Sequence, residues 1–323
     1  MRKFSSKAAG FVFIAAISVT LVGCGQVRAL RARLAIKDAH SRYQAQDYKA
    51  AIERYEETIA LAPEAVATEP NLTPAYFFLA NSYDNLYLPS KQGDAANDAM
   101  LTKAIDNYKK AAQIQINPQL RTLALQYLVA AYGPDKLNDP SQAEPLVQQM
   151  IQMDPKEPLN YFALARIYED SGDYDNAEAT LIKARDAKPS DAAVYTTLAT
   201  YYNRQGEFEK TIEALEARTK QEPNNPEAFY TIATYYWDKA YRDFRLQTAS
   251  KVKYVQAGVE AVDKAIALNN NYMEAIVYKN LLLRLMANLE KNPARQQALL
   301  KEADQLRNRA EELQKRKTAG LGS

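Results

Sequence analysis

The 323-residue sequence contains one cysteine, one histidine, one tryptophan and only ten glycines. One histidine excludes an HExxH metal motif, and a single thiol with a single imidazole supplies too few ligands for a zinc site. The glycines form neither GxGxxG nor GxxxxGK, so no dinucleotide or P-loop phosphate motif is present. The formal net charge of +2 argues against nucleic acid as a main partner, because binding phosphates needs a concentrated basic surface. We therefore expect no metal, no cofactor and no nucleic acid partner.

The acidic residues do not point to a catalytic site either. Asp and Glu number 39 together, but they mostly lie near Lys or Arg at helical spacing, as in AIERYEETIA at residues 51–60. This pattern is typical of a solvated helix face. The single histidine, His40, is interpreted as a surface or packing residue. The sequence therefore predicts that the protein is not an enzyme.

The amino terminus carries a targeting pattern. Basic residues Arg2, Lys3 and Lys7 precede an uncharged, largely apolar run at Ala8–Val22, as in a secretory signal peptide. The run is shorter than the ~20 residues that a membrane-spanning helix needs. The only cysteine, Cys24, follows this run directly.

Residues 21–24, Leu-Val-Gly-Cys, resemble the lipobox of bacterial lipoproteins. The resemblance implies that the Cys24 thiol takes a diacylglyceryl group and that residues 1–23 are cleaved. An uncleaved anchor helix with an incidental cysteine is the alternative. The residue after the cysteine is Gly25. In enterobacterial lipoproteins an aspartate at this position retains the protein at the inner membrane, so glycine favours the outer membrane. Arg28, Arg31 and Arg33 either contact anionic headgroups or form a solvated helix start.

The sequence also contains an internal repeat of 34 residues. Five sets of three residues are spaced 34 and 34 apart: Pro155, Pro189 and Pro223; Tyr161, Tyr195 and Phe229; Leu164, Leu198 and Ile232; Ala165, Ala199 and Ala233; Tyr168, Tyr202 and Tyr236. Each unit is predicted to form two helices, because its apolar residues recur at a spacing of 3–4. Ser171-Gly172-Asp173 supplies the turn, and proline ends the unit.

This pattern resembles the tetratricopeptide repeat. The resemblance implies an all-α protein, an α-solenoid in which about seven helical hairpins stack as a right-handed superhelix. The predicted organisation is a signal peptide at 1–23, a lipidated terminus and helix start at 24–34, a repeat array at 35–290, a capping helix at 291–317 and a disordered tail at 318–323. Insertions are expected near 86–101 and 239–253, and Gly258 is expected to take a small-residue position.

The resemblance further implies that first helices build a concave groove for a protein or peptide ligand. The groove positions in this sequence are Phe77, Asn81, Asp84, Phe162, Arg166, Glu169, Thr200, Asn203, Tyr230, Thr234 and Trp237. Aromatic and amide side chains would suit an extended or helical peptide. Alternatively, Phe77 and Phe162 pack between repeats.

Taken together, the motifs predict a lipid-anchored scaffold or adaptor that faces the periplasm and binds a protein partner. Its role would be in an envelope assembly, secretion or pilus process. Two alternatives remain: a soluble or inner-membrane regulatory array, and an enzyme or small-ligand binder that uses acidic groove residues.

Overall fold

The structure is a computed structural model that describes residues 8–320 and the side chains of residues 26–320. The expected signal peptide 1–23, the lipidation site Cys24 and the last three residues lie outside the described side chains. The described residues form fifteen α-helices, one 3₁₀ turn and no β-strand. The helices are α1 (Ala8–Gln44), α2 (Tyr48–Leu61), α3 (Ala65–Thr68), α4 (Pro74–Leu86), α5 (Ala95–Gln113), α6 (Pro118–Tyr132), α7 (Pro140–Met153), α8 (Pro158–Asp170), α9 (Tyr174–Ala187), α10 (Ala192–Arg204), α11 (Phe208–Gln221), α12 (Pro226–Arg242), α13 (Thr248–Leu268), α14 (Met273–Leu289) and α15 (Pro293–Thr318).

The chain divides into two units. The first unit runs to Pro155 and includes Arg166–Gly172, and the second comprises Lys156–Ala165 and the chain from Asp173 onward. In the first unit, α1 pairs with α2, α4 with α5 and α6 with α7, while α2 packs on α4 and α5 on α6. Tyr55 and Tyr108 are among its largest fully buried side chains.

The second unit is built in the same way. The pairs are α10 with α11, α12 with α13 and α14 with α15, and each pair packs on the next. Fully buried side chains include Leu215, Ile276 and Leu282. Helices α8 and α9 lie in the sequence between these two sets of three pairs. The predicted all-α solenoid fold of about seven helical hairpins is therefore confirmed.

Local sequence signals fix where the helices begin and turn. Asp173 and Asn225 cap α9 and α12, since their side-chain oxygens accept hydrogen bonds from the backbone N–H groups of Asn176 and Glu227. Gly172 has φ of +79°, a left-handed conformation that glycine adopts without strain. The expected turn at Ser171-Gly172-Asp173 is therefore present.

Small residues lie where helices approach closely. Ala165, Ala199 and Ala233, which share one position of the repeat, are all buried. At Gly258 an added Cβ would lie 2.9 Å from Leu282 Cδ2 and 3.2 Å from Tyr236 Cβ. Any larger side chain at Gly258 would collide with these neighbours, in keeping with the small-residue position expected there.

The two expected insertions are partly helical. Helix α5 begins at Ala95, inside the segment 86–101, because Asp94 accepts hydrogen bonds from the backbone N–H groups of Ala96 and Asn97. In the segment 239–253, α12 continues to Arg242 and α13 begins at Thr248. The extra residues there mainly lengthen two helices. The expected capping helix corresponds to α15, in which Ala303 and Ala310 are the buried residues.

One hydrogen bond recurs between successive helix pairs. Tyr83 donates its hydroxyl proton to Glu56 at 2.6 Å, Tyr168 to Glu144 at 2.7 Å and Tyr202 to Glu178 at 2.9 Å. Each tyrosine lies on a first helix, and each glutamate lies on the second helix of the preceding pair. The bond is charge-assisted, because the acceptor is a carboxylate. The repeat therefore specifies a polar link between neighbours as well as an apolar one.

The pKa values of both groups in the Tyr202–Glu178 link are shifted. Burial raises the pKa of Tyr202 to about 12, and the hydrogen bond to Glu178 acts in the same direction. The hydrogen bond from Lys210 lowers the pKa of the Glu178 carboxyl, and the Lys210 Nζ lies 2.9 Å from its oxygen. The link is therefore intact when tyrosine is neutral and glutamate is ionised.

Tyr202→Phe is expected to lower the free energy of unfolding by about 1 to 2 kcal/mol, because it removes a charge-assisted hydrogen bond at a partly exposed carboxylate. Urea denaturation measures the change. The difference from wild type should shrink as pH rises from 10 toward 12, since the hydroxyl ionises near 10 when unfolded and near 12 when folded. Tyr241→Phe, whose side chain is exposed, is the control and should change stability by less than about 0.5 kcal/mol. A Tyr202→Phe effect that does not vary with pH would contradict the link.

Candidate partner-binding site

An aromatic surface lies on α12 and α14 of the second unit. Tyr230, Thr234, Trp237 and Tyr241 recur at a spacing of 3–4 residues along α12, so they share one side of that helix. Ala228 and Ile232 lie on the opposite side of α12 and are buried. The packing of α12 thus leaves Tyr230, Trp237 and Tyr241 outside its buried side.

Rings from three segments meet on this surface. Tyr278 of α14 lies 5.3 Å from Tyr230 and 5.8 Å from Trp237, both edge-to-face, and Tyr272 lies 5.3 Å from Tyr230. Tyr241 stacks on Trp237 with ring centroids 4.8 Å apart. Such aromatic pairs contribute more stabilising free energy than the burial of their apolar area alone provides. We call these five residues, Tyr230, Trp237, Tyr241, Tyr272 and Tyr278, the aromatic face.

The aromatic face is open to solvent at one end. Tyr241 is 61% exposed, and Phe244, in the loop after α12, is 87% exposed. Burial and the neighbouring tyrosines raise the pKa of Tyr230 to about 12, so its hydroxyl is neutral at physiological pH. The surface therefore offers uncharged aromatic area that the second unit leaves partly unburied.

Threonines on first helices add hydrogen-bond acceptors. The Thr234 hydroxyl donates to the carbonyl oxygen of Thr231 at 2.7 Å, and the Thr200 hydroxyl donates to that of Thr196 at 2.8 Å. Each hydroxyl has one proton, so both oxygens can only accept further hydrogen bonds. Thr200 and the amide-bearing Asn203 are exposed on α10.

Two groove residues predicted in the first unit are buried. Phe77 and Asn81 are each 5% exposed. The Phe77 ring contacts the rings of Phe78, Tyr108 and Tyr127. The expectation that Phe77 is exposed to a partner is therefore wrong, and the alternative of packing between helices is what the structure has.

Asn81 and Asp84 belong to a polar network inside the first unit. Asn81 accepts a hydrogen bond from the Tyr43 hydroxyl at 2.7 Å and donates one to the Tyr108 oxygen at 3.0 Å. Asp84 forms an ion pair with Lys136, and the Tyr108 hydroxyl donates to it at 3.4 Å. These bonds satisfy groups that would otherwise be buried without partners. Asn81 and Asp84 therefore stabilise the fold of this unit.

The remaining groove residues lie on α8. Arg166 and Glu169 belong to the first unit, and Phe162 belongs to the second. Arg166 is exposed and pairs with Asp170 at 2.9 Å, while Phe162 and Glu169 are half-buried. Among the predicted residues, Tyr230 and Trp237 are joined by their shared contact with the Tyr278 ring of the aromatic face.

Comparison with known proteins identifies the repeat. Residues 136–201 match the family model of the tetratricopeptide repeat. The C-terminal part of a TPR repeat-containing protein from Cytophaga hutchinsonii shares 15% identity, covers 84% of this chain and 95% of its own, and has a TM-score of 0.53. This likeness shows the fold alone.

Two further solved structures are similar over part of the chain. A tetratricopeptide repeat protein from Parabacteroides merdae ATCC 43184 shares 11% identity, with coverage of 85% and 99% and a TM-score of 0.45. YrrB, described as a TPR protein with an unusual peptide-binding site, shares 18% identity, with coverage of 61% and 89% and a TM-score of 0.39. No curated protein matches the sequence.

In the described part of the chain, no group of three or more His, Cys, Asp or Glu side chains is placed to hold a metal ion. His40 packs edge-to-face against Tyr55 and Phe78, its Nδ1 lies 2.5 Å from the Tyr55 hydroxyl oxygen, and burial lowers its pKa. Among the helices with described residues, none is long and apolar enough to cross a membrane.

Trp237 is the only tryptophan, so its fluorescence reports on the aromatic face. Tyr241→Ala should shift its emission to longer wavelength and increase quenching by acrylamide, because the indole loses a stacked ring at 4.8 Å. The circular dichroism spectrum should not change, since Tyr241 is 61% exposed. Tyr174→Ala, at an exposed position on α9, is the matched control and should leave the emission unaltered. Unchanged emission in Tyr241→Ala would mean that the stacked arrangement is absent in solution.

Proposed function

We propose that the protein is an adaptor that binds a protein or peptide partner on the aromatic face. The observation that carries this proposal is the exposed aromatic area of Tyr241 and Phe244, which continues onto the half-buried Trp237 through the Tyr241 ring stacked on it. Tyrosine and tryptophan supply large contact area at low conformational cost and dominate the binding energy of many interfaces. An exposed cluster of such residues is a better basis for binding than scattered apolar residues.

The polar groups define the kind of partner. The acceptor-only hydroxyl oxygen of Thr234 lies between Tyr230 and Trp237 along α12. A peptide segment with apolar or proline side chains would stack on the rings, and its backbone N–H groups would donate to such oxygens. The partner segment is therefore extended or helical and carries apolar or proline side chains.

Lipid anchoring at Cys24 forms the second half of the proposal. Its support is the order of a basic segment, an apolar run and the lipobox-like residues 21–24. Each buried CH₂ of an acyl chain contributes about 0.8 kcal/mol, so two or more chains hold a protein at a membrane without a spanning helix. We place the adaptor at the periplasmic side of the bacterial envelope, with the outer membrane favoured, in an assembly, secretion or pilus process.

The alternative of an acidic catalytic groove has less support. Asp84, one of the acidic groove residues, is ion-paired with Lys136 and accepts a hydrogen bond from Tyr108. A general base must be able to reach a substrate proton, and these contacts occupy the carboxylate. Protein binding is therefore the function that the described residues favour.

A photo-crosslinking amino acid in place of Thr234 tests the partner-binding role in cells. It should capture a defined protein, and Tyr241→Ala with Phe244→Ala should reduce that capture at least tenfold, since the two rings are exposed anchors. The crosslinker at Glu260, an exposed residue of α13, is the control and should capture none of this partner. The purified partner should then change Trp237 fluorescence in wild type but not in the double variant. Equal capture from Glu260 would reject the aromatic face as the binding site.

Lipid attachment is tested separately by palmitate labelling and mass spectrometry. The wild-type protein should incorporate palmitate and lack residues 1–23, whereas Cys24→Ser should incorporate none and retain those residues, because the modified thiol is missing. Ser5→Ala in the basic segment is the control and should be labelled like wild type. A labelled Cys24→Ser protein, or a wild-type protein that begins elsewhere, would contradict the proposal.

A further inference from the structure

Helix α1 carries an apolar surface that the described side chains of the first unit leave exposed. Val27, Leu30 and Leu34 are 51%, 59% and 61% exposed. Their spacing of three and four residues places them on one side of the helix. We call these three residues the apolar stripe.

The apolar stripe differs from the side of α1 that packs into the unit. Ala32, Ile36 and Ala39 belong to the buried core. At about 100° per residue these three lie on roughly the opposite side of α1 from the stripe. Helix α1 therefore has two apolar sides, and the protein itself covers one of them.

Basic residues border the apolar stripe. Arg31 and Lys37 are exposed. Around the helix, Arg31 lies about 40° from Val27, and Lys37 lies about 20° from Leu30. Arg28 is also exposed, whereas Arg33 pairs with Glu69 at 2.9 Å. The first 37 residues contain no Asp or Glu. The free charges beside the stripe are therefore all positive.

The stripe ends at an acidic residue whose charge is balanced. Asp38 follows Leu34 by four residues on the same side of α1, and it pairs with Arg54 at 2.9 Å and with Arg42 at 3.2 Å. From Val27 to Leu34 the stripe is about 10 Å long, at about 1.5 Å per residue. It begins three residues after Cys24.

We propose that the apolar stripe lies in the interface of an anionic membrane, with Arg31 and Lys37 at the level of the headgroups. An apolar side bordered by positive charge is the arrangement of helices that lie in the membrane plane. The inference deepens the lipid anchoring proposed at Cys24, since the stripe continues directly from the attachment point. It would hold the first unit against the membrane, whereas a lipid alone is a flexible tether.

A fluorescent probe on the mature, lipidated protein tests this contact. Leu30→Cys is labelled with an environment-sensitive dye, since Cys24 is consumed by lipid, and the protein is placed in vesicles of phosphatidylcholine and phosphatidylglycerol that contain spin-labelled lipid. The emission should shift to shorter wavelength and lose most of its intensity to the spin label. Glu53→Cys, an exposed position on α2, is the matched control and should emit as in water, unquenched.

Removing the anionic lipid should weaken quenching at position 30, and so should Arg31→Gln with Lys37→Gln. Emission at position 30 that resembles that of the Glu53→Cys control would overturn the inference. So would a shift without quenching by lipid, which would mean that a protein covers the stripe.

The experiments distinguish a failure of the lipid-anchor proposal from a failure of the membrane contact proposed for the apolar stripe. A palmitate-labelled protein with an unquenched probe rejects the stripe alone. A copy that lacks residues 2–23 and carries Cys24→Ser and Leu30→Cys has position 30 as its only thiol and has no apolar run before it. If the wild type takes no palmitate while this copy is quenched, the anchor proposal fails and the stripe stands.

Discussion

Within each unit, a helix pair buries its apolar surface against the pairs next to it in the sequence. A single pair of helices has too little core to fold alone, so the pairs of a unit depend on one another for stability. The contacts that join neighbours are of two kinds: close approach at small residues such as Ala199 and Gly258, and the tyrosine–glutamate bonds typified by Tyr202 and Glu178. Both kinds of contact bury one side of each helix. The sides that stay exposed to solvent are the surfaces available for binding.

This division explains why similar sequence positions differ in role between the two units. Phe77 and Tyr230 both take the groove position that follows the first aromatic position of their repeats. Phe77 is covered, because Tyr108 and Tyr127 reach across it. Tyr230 instead meets the rings of α14, and Trp237 and Tyr241 extend its surface along α12 to solvent. The polar network around Asn81 stabilises the first unit at the place where the second unit has an exposed aromatic surface.

The sequence predicts the parts of the fold that the repeat determines. The 34-residue spacing identifies the helix pairs, the turn at Gly172 and the small residue at Gly258, because each depends on local geometry or on the adjacent repeat. It could not predict the burial of Phe77 and Asn81, since the covering residues Tyr43 and Tyr127 belong to irregular repeats. Tyr241, Phe244 and Tyr278 were not predicted, because the segment after Tyr236 and helix α14 depart from the repeat. The signal for Tyr241 and Phe244 was the density of aromatic residues after Tyr235, which indicates exposure only when the direction of the helix is known.

The surfaces that stay exposed use separate sets of residues. The apolar stripe draws on Val27, Leu30 and Leu34 in α1, and the aromatic face draws on α12 and α14. No residue serves both, so a substitution in one surface leaves the contacts of the other unchanged. Apolar area that faces water is normally a liability in a folded protein. Exposure of two such surfaces, one aliphatic and bordered by positive charge and one aromatic, is physically consistent with two different environments, an anionic membrane and a protein segment.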